Sequence, residues 1–385
     1  MAARAAAALA AVGLTLPAPG IAQQTVTLGE ATARSDDGFS AISGLRELAD
    51  GSLLVADGLE NQLLHVTRDL DAATRVGREG AGPDEYRTPD ALYALAGDST
   101  LMVDLGNGRL AVLAPDGSVV RTHPIAGGEG PALEIMMPGA VDENGRVFFR
   151  RMGPPGPDGP PDSAKVARFD PSTGSTVDVV SVKLPEMKQH TSGASNARQE
   201  VIQPVPLSPQ DAWTATPDGR LVVARQNAEV FWLEFFRPDG TVTRGPAIGY
   251  DPQRVRSADK EAWIAALSGA LGVSVENENG RVRTSFSRGG GPEVDSGDFE
   301  WPDTKPAFPD GALRTDPDGR FWLERSVPAG EPRRFDVLDE RGRRIGSVRL
   351  PAGRRLEGFG RDALYLSRTD DLDFVWLERY RLPNL

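Results

Sequence analysis

The chain has 385 residues, 25% of them charged and 39% apolar, with a formal net charge of −12. It is too apolar for a disordered chain and long enough to bury a large core. Its 43 Gly and 31 Pro mark a chain dense in tight turns. With no Cys, disulfide frameworks, thiolate metal sites and thiol nucleophiles are excluded. The acidic balance argues against a nucleic-acid binder, which needs Lys and Arg to neutralise phosphates.

Residues 1–22 read as an export signal. Arg4 gives a short positive start, an apolar run extends to Leu16, and Pro17 breaks it. Gly20 and Ala22 then place small residues three and one before Gln23, the pattern of a signal-peptidase site. The expectation is an exported protein, periplasmic or secreted, with a mature chain over residues 23–385. Removing the leader takes away one arginine and no acid. Beyond residue 22 no apolar run approaches the roughly 20 residues of a membrane-spanning helix.

A repeated unit follows. An apolar strand, a turn often written Asp-Gly or Asn-Gly, a second apolar strand, a polar turn and two further strands recur along the chain. The first copy runs through residues 45–48, Asp50-Gly51, residues 53–56, a turn at Asn61 and residues 63–66. Type I′ hairpins suit such turns, because both central residues then need positive φ. The second turn residues are Gly51, Asp98, Gly145, Gly219, Gly319 and Asp362. Two intervals are about 47 residues, and the others are about 74, 100 and 43, where about 45 residues and four strands make a propeller blade. Six anchors predict an all-β, six-bladed β-propeller.

The two long intervals predict insertions. Residues 152–162 form a Pro/Gly tract, and residues 186–203 a polar connection into blade four. Residues 246–300 carry a helix between blades four and five. Trp263, Ala266, Leu267, Ala270 and Leu271 share one face, with Ser257 as N-cap and Gly272 at the end. The last unit shows three strands, and residues 25–28 are expected to supply its fourth. That pairing would join the two ends of the mature chain and remove an open edge.

Leu53-Leu-Val-Ala-Asp57 with Asn61-Gln-Leu-Leu-His-Val66, and Leu101-Met-Val-Asp104 with Gly106-Asn-Gly-Arg-Leu-Ala-Val-Leu113, resemble NHL repeats. The glycine-rich stretch from Gly77 to Pro89 is similar to the segment joining one NHL repeat to the next. In layout the chain resembles exported bacterial six-bladed propellers. The resemblance supports the fold and carries little chemistry.

Six residues beyond each anchor stand Asp57, Asp104, Arg151, Arg225, Arg325 and Arg368, each at the end of a second strand. They should circle one rim of the disc, on the face that also carries the loop at residues 80–83. Loops around the channel mouth are where propellers bind ligands. Arginine grips carboxylate or phosphate through two parallel hydrogen bonds, so the rim is a candidate anion site. The opposing reading is that these groups pair with one another or with backbone, holding adjacent blades in register.

Other chemistry is thinly supported. His65, His123 and His190 fall in different layers, whereas a zinc site of the kind NHL-like amidating lyases carry needs histidines that converge. No Gly-x-Ser-x-Gly element marks a nucleophile, and the loops at residues 127–131 and 288–292 lack the Lys-Ser/Thr of a P-loop. The acidic stretches at residues 295–300 and 370–373 lack calcium-loop spacing. Trp232, Trp322 and Trp376 read as packing within strands. The gluconolactonase family is also a six-bladed propeller and holds a divalent ion with Glu, Asn and Asp, but an arginine rim would repel that cation. Three functions follow. The first is a binding module for an acidic sugar, carboxylate or acidic peptide, with no cofactor. The others are a metal-dependent lactonase and a scaffold that binds a protein partner through its helix and insertions.

Overall fold

The computed structural model describes residues 24–127, 134–151, 160–192, 199–268, 271–278, 281–288 and 294–385. The leader, most of the Pro/Gly tract at 152–159 and the glycine loops at 128–133 and 289–293 lie outside them.

Six antiparallel sheets form the six blades of a propeller. Blade one is Gly44–Glu47, Leu53–Asp57, Gln62–Val66 and Ala73–Arg75. Blade two is Pro89–Ala94, Thr100–Asp104, Arg109–Leu113 and Val119–Pro124. Blade three is Pro138–Val141, Val147–Arg151, Ser163–Asp170 and Ser175–Lys183. Blade four is Ala212–Ala215, Leu221–Gln226, Val230–Phe236 and Val242–Arg244, with Ile248–Gly249 added beside its third strand. Blade five is Leu313–Thr315, Phe321–Arg325, Arg334–Leu338 and Arg344–Arg349. Blade six takes Arg354–Phe359, Ala363–Thr369 and Val375–Arg381 from the end of the chain.

The second strands explain why the repeat is so legible. Leu53 and Val55 enter the cluster shared with blade six, while Leu54 and Ala56 enter the one shared with blade two. Both faces of the strand are buried, so it reads as an unbroken apolar run rather than an alternating one. The same holds for Leu221-Val-Val-Ala224 and Phe321-Trp-Leu323. Six hydrophobic clusters result, one between each pair of neighbouring blades, and the ring closes on itself.

Blades approach closely near the channel because small residues stand there. A Cβ on Gly44 would lie 2.4 Å from the Asp90 carbonyl oxygen and 2.8 Å from the Leu92 nitrogen, both backbone of blade two's first strand.

The turns are tighter on glycine than a type I′ hairpin requires. At Gly51, Gly145, Gly219 and Gly319 only the glycine takes positive φ, between 76° and 86°. Gly51 N–H donates to the Leu48 carbonyl and Leu48 N–H to the Ser52 carbonyl, a type I turn closed by a left-handed glycine. Only at Gly97-Asp98 are two successive residues left-handed, at 69° and 59°, and at Arg361-Asp362 neither is.

Three further expectations are corrected. The strand that completes blade six is Ala33–Arg34, antiparallel to Val375–Arg381. Thr25–Thr27 instead runs parallel to Ser347, Val348 and Arg349 on the outer edge of blade five. Residues 186–203 are mostly a hairpin, Met187–Ser192 against Gln199–Pro204. The helix spans Ser257–Ser268, and Leu271–Glu278 then pairs with Arg281–Arg288. Val273, Val275, Val282 and Thr284 are β-branched and favour that hairpin over a longer helix.

Candidate functional site

All six rim positions fall where the spacing places them, at or one residue before the end of a second strand. Their contacts are local. Asp57 accepts backbone N–H groups from Ser40 at 2.8 Å, Ala41 at 3.2 Å and Glu60 at 3.3 Å. Burial nevertheless pushes its carboxyl above the usual range, against those hydrogen bonds. Asp104, fully buried, accepts from Arg87 N–H at 2.8 Å, Asn107 Nδ2 at 2.9 Å and Arg109 Nε at 2.8 Å.

The arginines do the converse. Arg225 donates to the Ser181 carbonyl at 3.0 Å and pairs with Asp211 and with Glu234 at 3.0 Å. Arg325 donates to the Ala307 carbonyl at 2.9 Å and to Asp336 at 2.6 Å, and lies 4.4 Å over the Phe231 ring. Arg151 pairs with Glu134 and, at 2.8 Å, with Asp178. Arg368 stands 3.6 Å from Glu378, over the Trp376 ring. Aspartates thus hold incoming linkers by their N–H groups, Arg325 holds its linker by the Ala307 carbonyl, and Arg225 reaches the Ser181 carbonyl on blade three's fourth strand. The loop at 80–83 is tied down on the same face, its Gly80 carbonyl accepting from Asn107 and its Gly82 carbonyl from Arg109.

One of the six, Arg325, also reaches a large cavity. About 1000 Å³ of space opens on this face, bounded by the linker to blade four and by blades five, six and one. Leu207 and Gln210 enter from the linker to blade four, Ile42 from the linker to blade one, and Leu59 from blade one's outer turn. The helix covers part of the cavity through Asp259, Ala262 and Trp263. Trp263 stacks edge-on against Phe299 and Trp301, with ring centroids 5.0 and 5.7 Å away.

Asp259 pins the helix there. Its carboxylate accepts from Lys305 Nζ at 2.7 Å, Ala329 N–H at 2.8 Å and Arg256 N–H at 2.9 Å. Burial opposes its charge, but these donors outweigh burial and hold its carboxyl below the ordinary range. Lys305 also donates to the Val327 carbonyl at 2.6 Å, so one ion pair joins the helix to the loop after blade five's second strand.

Counting along second strands misses most of this wall. Arg333, Arg354 and Arg355 line it, yet they sit at the starts of the third strand of blade five and the first strand of blade six. The paired arginines at 333–334 and 354–355, each just before or within a strand start, are the signal in the sequence. Arg333 is 43% exposed and pairs with Glu324 at 2.6 Å; Arg355 is 56% exposed and pairs with Glu357 at 2.8 Å. Arg354 is held more firmly, by both oxygens of buried Glu378 at 2.9 and 3.0 Å.

The histidines stay apart. His65 Nε2 lies 2.8 Å from Ser52 Oγ, and the His123 ring packs edge-on to Phe169. His190 lies in the strand Met187–Ser192, and its side chain falls outside the described residues. Among the described residues no three His, Asp or Glu side chains are grouped to hold a metal ion. Asp295 caps a short 3-10 turn, and Asp370 accepts from Leu372 N–H, Phe374 N–H and Trp376 Nε1. Trp322 is fully buried, against Phe335 and Phe359, whereas Trp232 and Trp376 are half-buried on blade surfaces under Arg244 and Arg368. No described helix is long and apolar enough to cross a membrane.

No family model matches the chain, and no curated protein does. Its shape is shared by solved structures of very different sequence. A member of the DUF4221 family from Bacteroides vulgatus superposes with a TM-score of 0.50 at 11% identity, over 93% of this chain and 98% of that one. A gluconolactonase from Xanthomonas campestris gives 0.42 at 15% identity, over 92% and 94%. Regucalcin from Agrobacterium tumefaciens, a calcium-binding protein, gives 0.41 at 11% identity, over 94% and 99%. At such identities the likeness establishes the fold alone, and the chain is a six-bladed β-propeller.

Proposed function

We propose that this protein is an exported binding propeller whose guest, a small organic anion such as an acidic sugar or carboxylate, occupies the cavity over the channel mouth. The observation that carries the reading is the pairing of walls. Ile42, Leu59 and Leu207 supply an apolar side, and Arg333, Arg354 and Arg355 supply guanidinium groups on the other, with Glu324, Glu331 and Asp310 among them. Arg333 and Arg355 keep about half of their side chains exposed while pairing with Glu324 and Glu357, so their guanidinium heads have donors left to face the cavity. Export rests on the leader read in residues 1–22.

The test is a thermal-shift series on residues 23–385 with acidic sugars, small carboxylates and neutral sugars. A guest at about 100 times its dissociation constant adds roughly 2.7 kcal/mol. The expected outcome is a raised Tm with an anion, weakened by salt and lost in the double variant Arg333→Ala, Arg355→Ala. A rise of equal size with neutral sugars, or one that the double variant retains, would overturn the reading.

A further inference from the structure

Behind the loop after blade five's second strand lies a second crevice of about 420 Å³, between blade five and the segment leaving blade four. Tyr250, Gln253, Arg325, Arg334 and Arg344 line it. Arg325 and Arg334 are direct cross-strand partners, and Arg334 is in turn the partner of Arg349. Residues directly opposite share a sheet face, so three like charges stand in one row, an arrangement that destabilises a sheet.

Arg349 is exposed to solvent, and among the described residues one interior carboxylate lies beside Arg325 and Arg334. Asp336, two residues beyond Arg334 on the same face, is buried and already shared. It accepts from Arg325 at 2.6 Å and Ser347 Oγ at 2.8 Å, with Arg344 at 3.4 Å. Arg334 has no hydrogen-bond or ion-pair partner among the described residues, and its Nε is buried. Glu331 and Asp251 also border the crevice, but both are exposed at its mouth, where water screens them. Arg325 already holds the Asp336 carboxylate, so among the described residues the charge of Arg334 has no interior counter-charge paired with it.

We propose that this crevice is a binding site for a compact dianion of the phosphate class, either inorganic phosphate or the phosphate group of a small ester, with Arg334 as its principal ligand. A compact anion answers the unmatched Arg334 charge in one place, with Arg325 beside it, and guanidinium forks match its oxygens. The crevice is distinct from the channel-mouth cavity, from which residues 326–331 separate it.

The experiment is calorimetric titration of phosphate, at low ionic strength, into residues 23–385 and the Arg334→Gln variant, with melting curves for both. Wild type should bind phosphate saturably, and the variant should bind at least about tenfold more weakly. The variant should also melt higher than wild type in phosphate-free buffer, because it removes a like-charge pair, and lower than wild type in phosphate. A purely structural arginine would lower the melting point in both buffers. Glycerol phosphate binding as tightly as phosphate would point to an ester as the guest, and binding of inorganic phosphate alone to the free ion. Absence of saturable heat up to about 10 mM, or equal binding by the variant, would overturn the proposal. Arg333→Ala, Arg355→Ala should leave the phosphate response intact, which separates this site from the channel-mouth reading.

Discussion

At the scale of single residues, the rim repeats one device. In blades four, five and six the arginine near the end of the second strand reaches an acid on the third strand, two residues past its cross-strand partner. The pairs are Arg225 with Glu234, Arg325 with Asp336 and Arg368 with Glu378. Glu378 is the most heavily used of these acids, taking Arg354, Arg34, Arg368 and the Tyr380 hydroxyl. Burial disfavours its charge, but Arg354, Tyr380 and Arg34 outweigh that and hold its carboxyl below the usual range. Glu378→Gln should cost about 2 kcal/mol in denaturant unfolding, because Arg354 loses the carboxylate that holds it through both oxygens. Since the folded carboxyl is depressed, its stabilisation is present above the ordinary glutamate range and is lost as pH falls through the lowered value. The acid limb of the stability–pH curve should therefore be shallower in the variant. A spacing count finds the arginines, but not the acids they touch, because that contact depends on strand register.

Among the elements, the helix and its hairpin show where local pattern stops being informative. The apolar spacing through Leu271 continues past Ser268, but the helix ends at Ser268 and Leu271 opens the strand Leu271–Glu278. Beside the Trp263 stack, what ties the helix over the cavity is one carboxylate, Asp259, whose partners Lys305 and Ala329 are far along the chain. Asp259→Ala should leave the blades folded while raising hydrogen exchange across Ser257–Ser268 and shifting Trp263 fluorescence. Unchanged exchange there would mean that the Trp263, Phe299 and Trp301 stack holds the helix by itself. The contact between blades one and two tests the inner ring in the same way. Gly44→Ala pushes a methyl against the backbone at Asp90 and Leu92, and should cost about 2 kcal/mol in thermal unfolding.

For the whole molecule the decisive event is closure. Ala33–Arg34 pairs with Val375–Arg381, Phe39 bridges Val375, and Ser35 N–H donates to the Leu377 carbonyl, so the two ends of the chain share one sheet. A chain begun at residue 33 loses the parallel edge strand, buried Leu28 and the Thr32 hydrogen bonds to the Arg379 carbonyl, and should still melt in one cooperative step, about 2 kcal/mol less stable. One begun at residue 41 loses the closing strand and Phe39. It should melt in a broad, non-cooperative transition, since blade six then keeps an open edge.

The sequence by itself determined the number of blades, the second strands, the turn positions and the face on which the rim residues stand. Those features follow from patterns within about 45 residues, where burial on both faces writes an unbroken apolar run and a left-handed turn demands glycine. Only the tertiary structure decided that residues 33–34 rather than 25–28 close the ring, that the six rim groups tie linkers and neighbouring strands, and that Arg333, Arg354 and Arg355 bring guanidinium groups to the cavity. Each of these depends on pairs of residues tens to hundreds of positions apart. Local propensity carries no information about such pairs, because their energy exists only once the ring has brought them together.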